Sequence, residues 1–213
     1  MKDRNYSLDL LRILACLAVI MIHTAGSPIH HNMVQQGTLY FNECVILSSL
    51  SNWSVPVFVM LTGIFMINPH KDISIKSLLS KNLLRIFVSL CFWSLFYAFA
   101  LNKELLPIGS QEGHFWYLGM VICLYLSLPI LRIIAKERKI LEYFLVVWFF
   151  MMIYKFIGYF IELPIYEFDY LIFVDYIGYC LLGYYLKDIN YTNKLRKIIY
   201  SWGGDFIDNH CVM

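Results

Sequence analysis

Two side chains in the first apolar stretch of the chain, Arg12 and His23, are of the types that bind anions and move protons. They sit with Asp9 in the run from Leu8 to Ala25, where every other residue from Leu10 on is uncharged. An Asp or Arg at the centre of a membrane helix costs about 2.5–3.5 kcal/mol on insertion scales, so charges retained there call for a use or a partner. Arg12 and His23 lie eleven positions apart. At 100° and about 1.5 Å per residue, the two point within about 20° of one another and lie about 16 Å apart along the axis. Asp9 falls about 60° from Arg12 on the same side. A guanidinium is always charged and offers a planar fork of donors to phosphate. An imidazole, with an ordinary pKa near 6.5, suits general-base work. The spacing therefore predicts one polar seam on an apolar rod, with Arg12 and His23 facing a shared cavity. Bland roles stand beside these: Arg12 can snorkel to headgroups, His23 can be satisfied by water or a carbonyl at the interface, and Asp9 fits an i,i+3 ion pair with Arg12.

Further along, His114, Trp116 and Tyr117 open a later apolar run. Aromatics at such a boundary usually form the interfacial belt, whereas His114 is a second histidine on the same side as His23. Arg85 is a further candidate for anion binding, and equally an ordinary cytoplasmic-side cation. His30 and His31 read as solvated loop residues. The six cysteines show no C-x-x-C spacing and four lie in apolar segments, so they read as packing residues, with neither a zinc site nor a disulfide framework expected.

These groups must be positioned by membrane helices. Of 213 residues, 60% are hydrophobic and 17% aromatic, and the mean hydropathy is +0.62. Such a composition points to an all-α polytopic transmembrane bundle rather than a soluble domain. With a net charge of only +2 there is no basis for nucleic-acid binding. Six spans are expected, at about 8–26, 45–67, 83–101, 115–131, 140–160 and 171–186. About fourteen Lys and Arg residues fall on the side that holds the amino terminus, against two, Lys103 and Lys155, on the other. The positive-inside rule then puts the amino terminus in the cytoplasm. On that topology the N-x-S/T sites at Asn5, Asn52 and Asn190 are not glycosylated. Pro56, Gly63 and Pro129 interrupt spans where neighbours or a cavity can satisfy the freed backbone groups. Gly158, Gly178 and Gly183 fit close helix approach. Glu142 and Asp175 are the acidic groups of the last two spans.

The run Leu8–Cys16 with Val19 and His23 resembles the opening helix of the acyltransferase family 3 membrane proteins, whose first span carries an arginine, ten residues and a histidine. Val55–Gly63, where family members often have Ser-Gly in place of Thr62-Gly63, also fits. Arg85, the run His114–Leu118 and the run Tyr179–Leu186 add weaker matches, so the resemblance covers about residues 5–200. It implies an O-acyltransferase of the cytoplasmic membrane that moves an acyl group, commonly acetyl, from cytoplasmic acyl-CoA to a hydroxyl of an extracytoplasmic glycan or lipid-linked sugar. In that scheme Arg12 and Arg85 hold the phosphates of acetyl-CoA, His23 is the catalytic base or acyl carrier, and His114 and Trp116 contact the acceptor. No metal is required.

The expected organisation is one acyltransferase-like membrane domain over residues 1–200, short of the ten or so spans of the family, and an aberrant tail at 201–213. A new apolar run begins at Ile198 and collapses into Gly203–His210, which reads as a truncation or frameshift. An inactive remnant and a transporter for a small polar solute are the competing readings, since buried Arg, Asp and His also suit a translocation path. The topology is directly testable. In a cysteine-free background, Ser110→Cys is expected to react with a membrane-impermeant maleimide added outside cells, and Lys139→Cys only after permeabilisation; the reverse pattern would invert the orientation.

Overall fold

The computed structural model describes residues 5–68, 78–100, 115–161 and 172–188. Among them every regular element is helical: α1 (Tyr6–His30), α2 (Leu39–Ser51), α3 (Ser54–Met66), a π-helical turn (Leu78–Leu83) leading into α4 (Leu84–Ala100), α5 (Phe115–Lys136), α6 (Arg138–Ile161) and α7 (Ile172–Asp188). The all-helical, polytopic class expected from composition is thus the observed one. Among the described residues five helical segments, with α2 and α3 taken together, are long and apolar enough to cross a membrane. The sixth, α7, has 17 residues. The segments around His114 and the tail at 201–213 lie outside the described residues.

Local signals account for most boundaries. Asn5 caps α1, its side chain accepting from Leu8 N at 3.4 Å, and the Thr38 hydroxyl accepts from Phe41 N at 3.2 Å to start α2. The second span therefore begins at Leu39 rather than 45. It is also broken: Asn52 and Trp53 separate α2 from α3. Pro56 explains the break, because it has no N–H to give Asn52 and its ring collides with a carbonyl four residues back. The first span runs past its expected end at 26, through Pro28 to His30. His31 then caps it by donating to Ser27 O at 3.0 Å, and Asn32 turns the chain at φ 51°. His30 and His31 are thus the end and cap of a helix rather than loop residues.

Small residues let the helices meet. The buried residues of α1 are Ala15, Ala18, Ala25 and Gly26, on the side against α2 and α3. The tightest crossing joins α3 to α7. A Cβ built on Gly63 would lie 1.9 Å from the carbonyl oxygen of Cys180, and one on Gly183 would lie 2.2 Å from that of Met60. The helices pack backbone to backbone at two glycines, as helices do in lipid, where close contact replaces a hydrophobic driving force. Gly178 does the same for α6, since Trp148 occupies the space its side chain would need. Around these contacts Val59, Ile67, Leu124, Leu128, Leu131, Leu141, Leu145 and Leu181 form a buried core. Leu10, Ile13, Leu17 and Ile20 of α1, and Phe92, Trp93, Phe96 and Phe99 of α4, point outward, as an apolar surround permits.

The glycine contacts generate a stability prediction. Gly63→Ala and Gly183→Ala each force backbone against backbone, and each is expected to lower stability by about 1–3 kcal/mol or more. Gly26→Ala, whose methyl would meet Ser48 Oγ at 3.7 Å, should leave the unfolding temperature unchanged. Thermal unfolding of the purified chain in detergent, followed by size exclusion, separates the two outcomes.

Candidate functional site

Antiparallel packing gathers the polar side chains at two ends of the bundle. One end holds the start of α1, the carboxyl ends of α3, α5 and α7, and the start of α6. The other holds the end of α1, the α2–α3 break, and the facing ends of α5, α6 and α7.

At this second end a cavity of about 1110 Å³ opens between the helices. His23, Gly26, Ser27 and His30 of α1 and its cap His31 line it with Ser48, Asn52, Val55 and Pro56 from the broken second span, Trp116 of α5, and Asp175, Tyr176 and Tyr179 of α7. The break places Asn52 and Pro56 on this wall, which is where irregular backbone is tolerated at membrane depth. The Trp116 and Tyr176 rings lie 6.2 Å apart, tilted by 36°, and Tyr179 continues the aromatic surface, 6.3 Å from Tyr176. Beside them Lys155 Nζ of α6 donates to Asp175 Oδ2 at 2.7 Å, a charge-assisted bond between adjacent helices. Trp148 Nε1 donates to the Asp175 carbonyl at 3.1 Å. Among the described residues no group of three or more His, Cys, Asp or Glu side chains is arranged to hold a metal ion.

The opposite end is a web of cations. Arg132 donates to the Met66 carbonyl through Nε at 3.1 Å and through Nη2, and Lys187 Nζ donates to Ile64 O at 3.1 Å. These two residues satisfy carbonyls of the last turn of α3, which ends at Ile67 without a glycine cap, and their charge suits the negative end of a helix. Arg138 Nε donates to Glu142 Oε1 at 2.9 Å, and the Tyr185 hydroxyl donates to the same oxygen at 3.2 Å.

Arg12 lies at this basic end. Its guanidinium is 3.8 Å from Asp9 Oδ1, half exposed at 48%, and 5.3 Å from the centre of the Phe65 ring. Both Arg12 and His23 therefore face the α3 side of α1, Arg12 over Phe65 and His23 beside Val55 and Pro56. Arg12 is not among the residues that line the cavity holding His23. Between them on α1, Ala15 and Ala18 are buried in the bundle. Trp116 lines the cavity and Arg85 is exposed on α4. His114 lies outside the described residues. Sequence reasoning passed over Lys155, counted as a loop cation but placed inside α6, and gave no role to Asp175. The available signal was their opposite charge in consecutive spans, since each alone would be costly in lipid.

An all-helical, multi-pass membrane bundle with a polar cavity at one end is the class these observations define. The acyltransferase domain of acyltransferase family 3 matches residues 5–204, so the chain belongs to that family. Neither curated proteins nor solved structures give a match.

The basic end yields a prediction of its own. Arg132→Leu strips the Met66 carbonyl of its donor and is expected to destabilise the fold by about 1–3 kcal/mol. Arg85→Leu, on the exposed face of α4, should not. Unfolding temperatures of the two variants check this, and equal values would remove Arg132 as the cap of α3.

Proposed function

We propose that the chain is an O-acyltransferase of the cytoplasmic membrane, taking an acyl group, acetyl by preference, from acyl-CoA on the basic side and delivering it to a hydroxyl of a glycan or lipid-linked sugar in the cavity at the far side. The observation that carries this reading is the position of His23 in the wall of a polar, aromatic-lined cavity, on a helix whose other end presents Arg12 to the basic face. Pockets of this size, apolar walls with a few converging polar groups, are the usual form of small-molecule sites.

The chemistry balances on groups the chain supplies. An imidazole nitrogen of His23 takes the proton of the acceptor hydroxyl while that oxygen attacks the thioester carbonyl. The carbonyl re-forms as the carbon–sulfur bond breaks, and the coenzyme A thiolate leaves and takes up the proton. Arg12 is the candidate for the coenzyme's phosphates, with Arg85 as a second cation on the same side. Asp9 keeps Arg12 in place until a phosphate competes for it. The pantetheine arm would then span the distance between the basic end and the cavity, past the level of Ala15 and Ala18 on α1.

Membranes that contain the chain are expected to transfer label from acetyl-CoA to a glycan fraction. His23→Ala should reduce that transfer by about 10²–10⁴-fold at equal abundance, the usual contribution of a general base. Arg12→Ala should raise the KM for acetyl-CoA more than it lowers kcat. Full transfer by His23→Ala would remove the imidazole from the mechanism. Saturable uptake of a solute without any need for acyl-CoA would favour a transporter instead.

A further inference from the structure

The Lys155–Asp175 pair is not needed to hold α6 against α7. Trp148 already fills the space over Gly178 and donates to the Asp175 carbonyl, and its ring meets Tyr179 edge-on at 4.9 Å. An ion pair taken out of water contributes little net stability, and well-packed apolar residues in its place are often neutral or better. This pair is also not sealed in: the two side chains remain 22% and 25% exposed, and Asp175 lines the cavity. Lys155 takes one carboxylate oxygen, Oδ2. Among the described residues Oδ1 has no bond, so the carboxylate keeps an acceptor to offer a ligand.

What lies around it narrows the ligand. The next residue along α7 is Tyr176, whose ring lies tilted beside that of Trp116 in the cavity wall. A flat aromatic face fits the apolar C–H face of a pyranose, and a carboxylate at its margin fits the hydroxyls on the ring's edge. Ser48, Asn52 and His31 supply further polar groups on the opposing wall. Among the described residues that line the cavity there is no Lys or Arg, so an anionic sugar would meet the carboxylate with the ammonium already committed to Oδ2.

We propose that Asp175, held in place by Lys155, is the hydroxyl-binding residue of the cavity and selects neutral pyranosides, with Trp116 and Tyr176 as the stacking surface. This rests on the acyltransferase reading only for its consequence, the choice of acceptor; binding itself can be read without any transfer.

The test is saccharide binding to the purified full-length chain in detergent, by intrinsic tryptophan fluorescence. The probes are methyl glucopyranoside, methyl galactopyranoside and N-acetylglucosamine, with glucuronate as the anionic control. The wild type should bind at least one neutral probe more tightly than glucuronate. The doubly neutral variant Lys155→Met/Asp175→Asn should keep the wild-type unfolding temperature and lose about tenfold or more in affinity, the weight of a hydrogen bond to a charged group. Asp175→Glu keeps the charge but moves the carboxylate outward. It should also weaken binding, and it serves if the double variant does not fold. Wild-type affinity in either variant, or no neutral saccharide bound by the wild type, would overturn the assignment. Binding without any acyl transfer would overturn the acyltransferase reading and leave this one standing.

Discussion

The backbone contact between α3 and α7 sets the rest of the arrangement. At Gly63 and Gly183 there is no room for even one methyl group between the two helices. Contact that close fixes both the distance between the axes and the register along them. From that register follow the positions of Asp175, Tyr176 and Tyr179 across from Val55 and Pro56 at one end. At the other it sets Lys187 beside the Ile64 carbonyl. In an apolar surround such packing has to be specific, because burial of greasy surface does not by itself favour one neighbour over another.

The same surround explains why the polar groups sit where they do. A charge left facing hydrocarbon without a partner is costly, and the described charged side chains are drawn to the two ends. At the basic end cations are consumed in structural work: Arg132 and Lys187 on the carbonyls of α3, Arg138 on Glu142. Arg12 differs from them: among the described residues its contacts are an ion pair at 3.8 Å and an aromatic face. Such contacts are weak at an exposed site and can be exchanged for a phosphate. At the cavity end the helix break at Asn52 and Trp53 makes room, and the aromatic and ionic groups of α5, α6 and α7 close the far side.

Much of this was legible from residue order because it rests on local rules. The apolar runs, the basic asymmetry and the angular match of Arg12 with His23 need only helix geometry. Gly178 and Gly183 could be marked as sites of close approach for the same reason. What the chain could not reveal alone were the non-local consequences. Pro56 was visible, but that its break opens a cavity wall depends on which helices face it. Lys155 and Asp175 lie twenty residues apart in separate spans, and their pairing follows from the contact of Trp148 with Gly178. Arg132 and Lys187 looked like ordinary positive-inside residues because the carbonyls they cap belong to a distant helix. The angular match of Arg12 with His23 likewise says nothing about what packs between them, where Ala15 and Ala18 are buried in the bundle.

The central claim is that the acyl group reaches the His23 cavity from the basic end. A photoreactive acyl-CoA carrying a diazirine in its acyl chain, crosslinked to the full chain in membranes and mapped by mass spectrometry, tests it most directly. Label on cavity residues such as His23, Ser27 or Val55, competed by acetyl-CoA, is the expected result. Label confined to the basic end around Arg12 and Phe65, or spread over the lipid-facing side chains of α4, would contradict it.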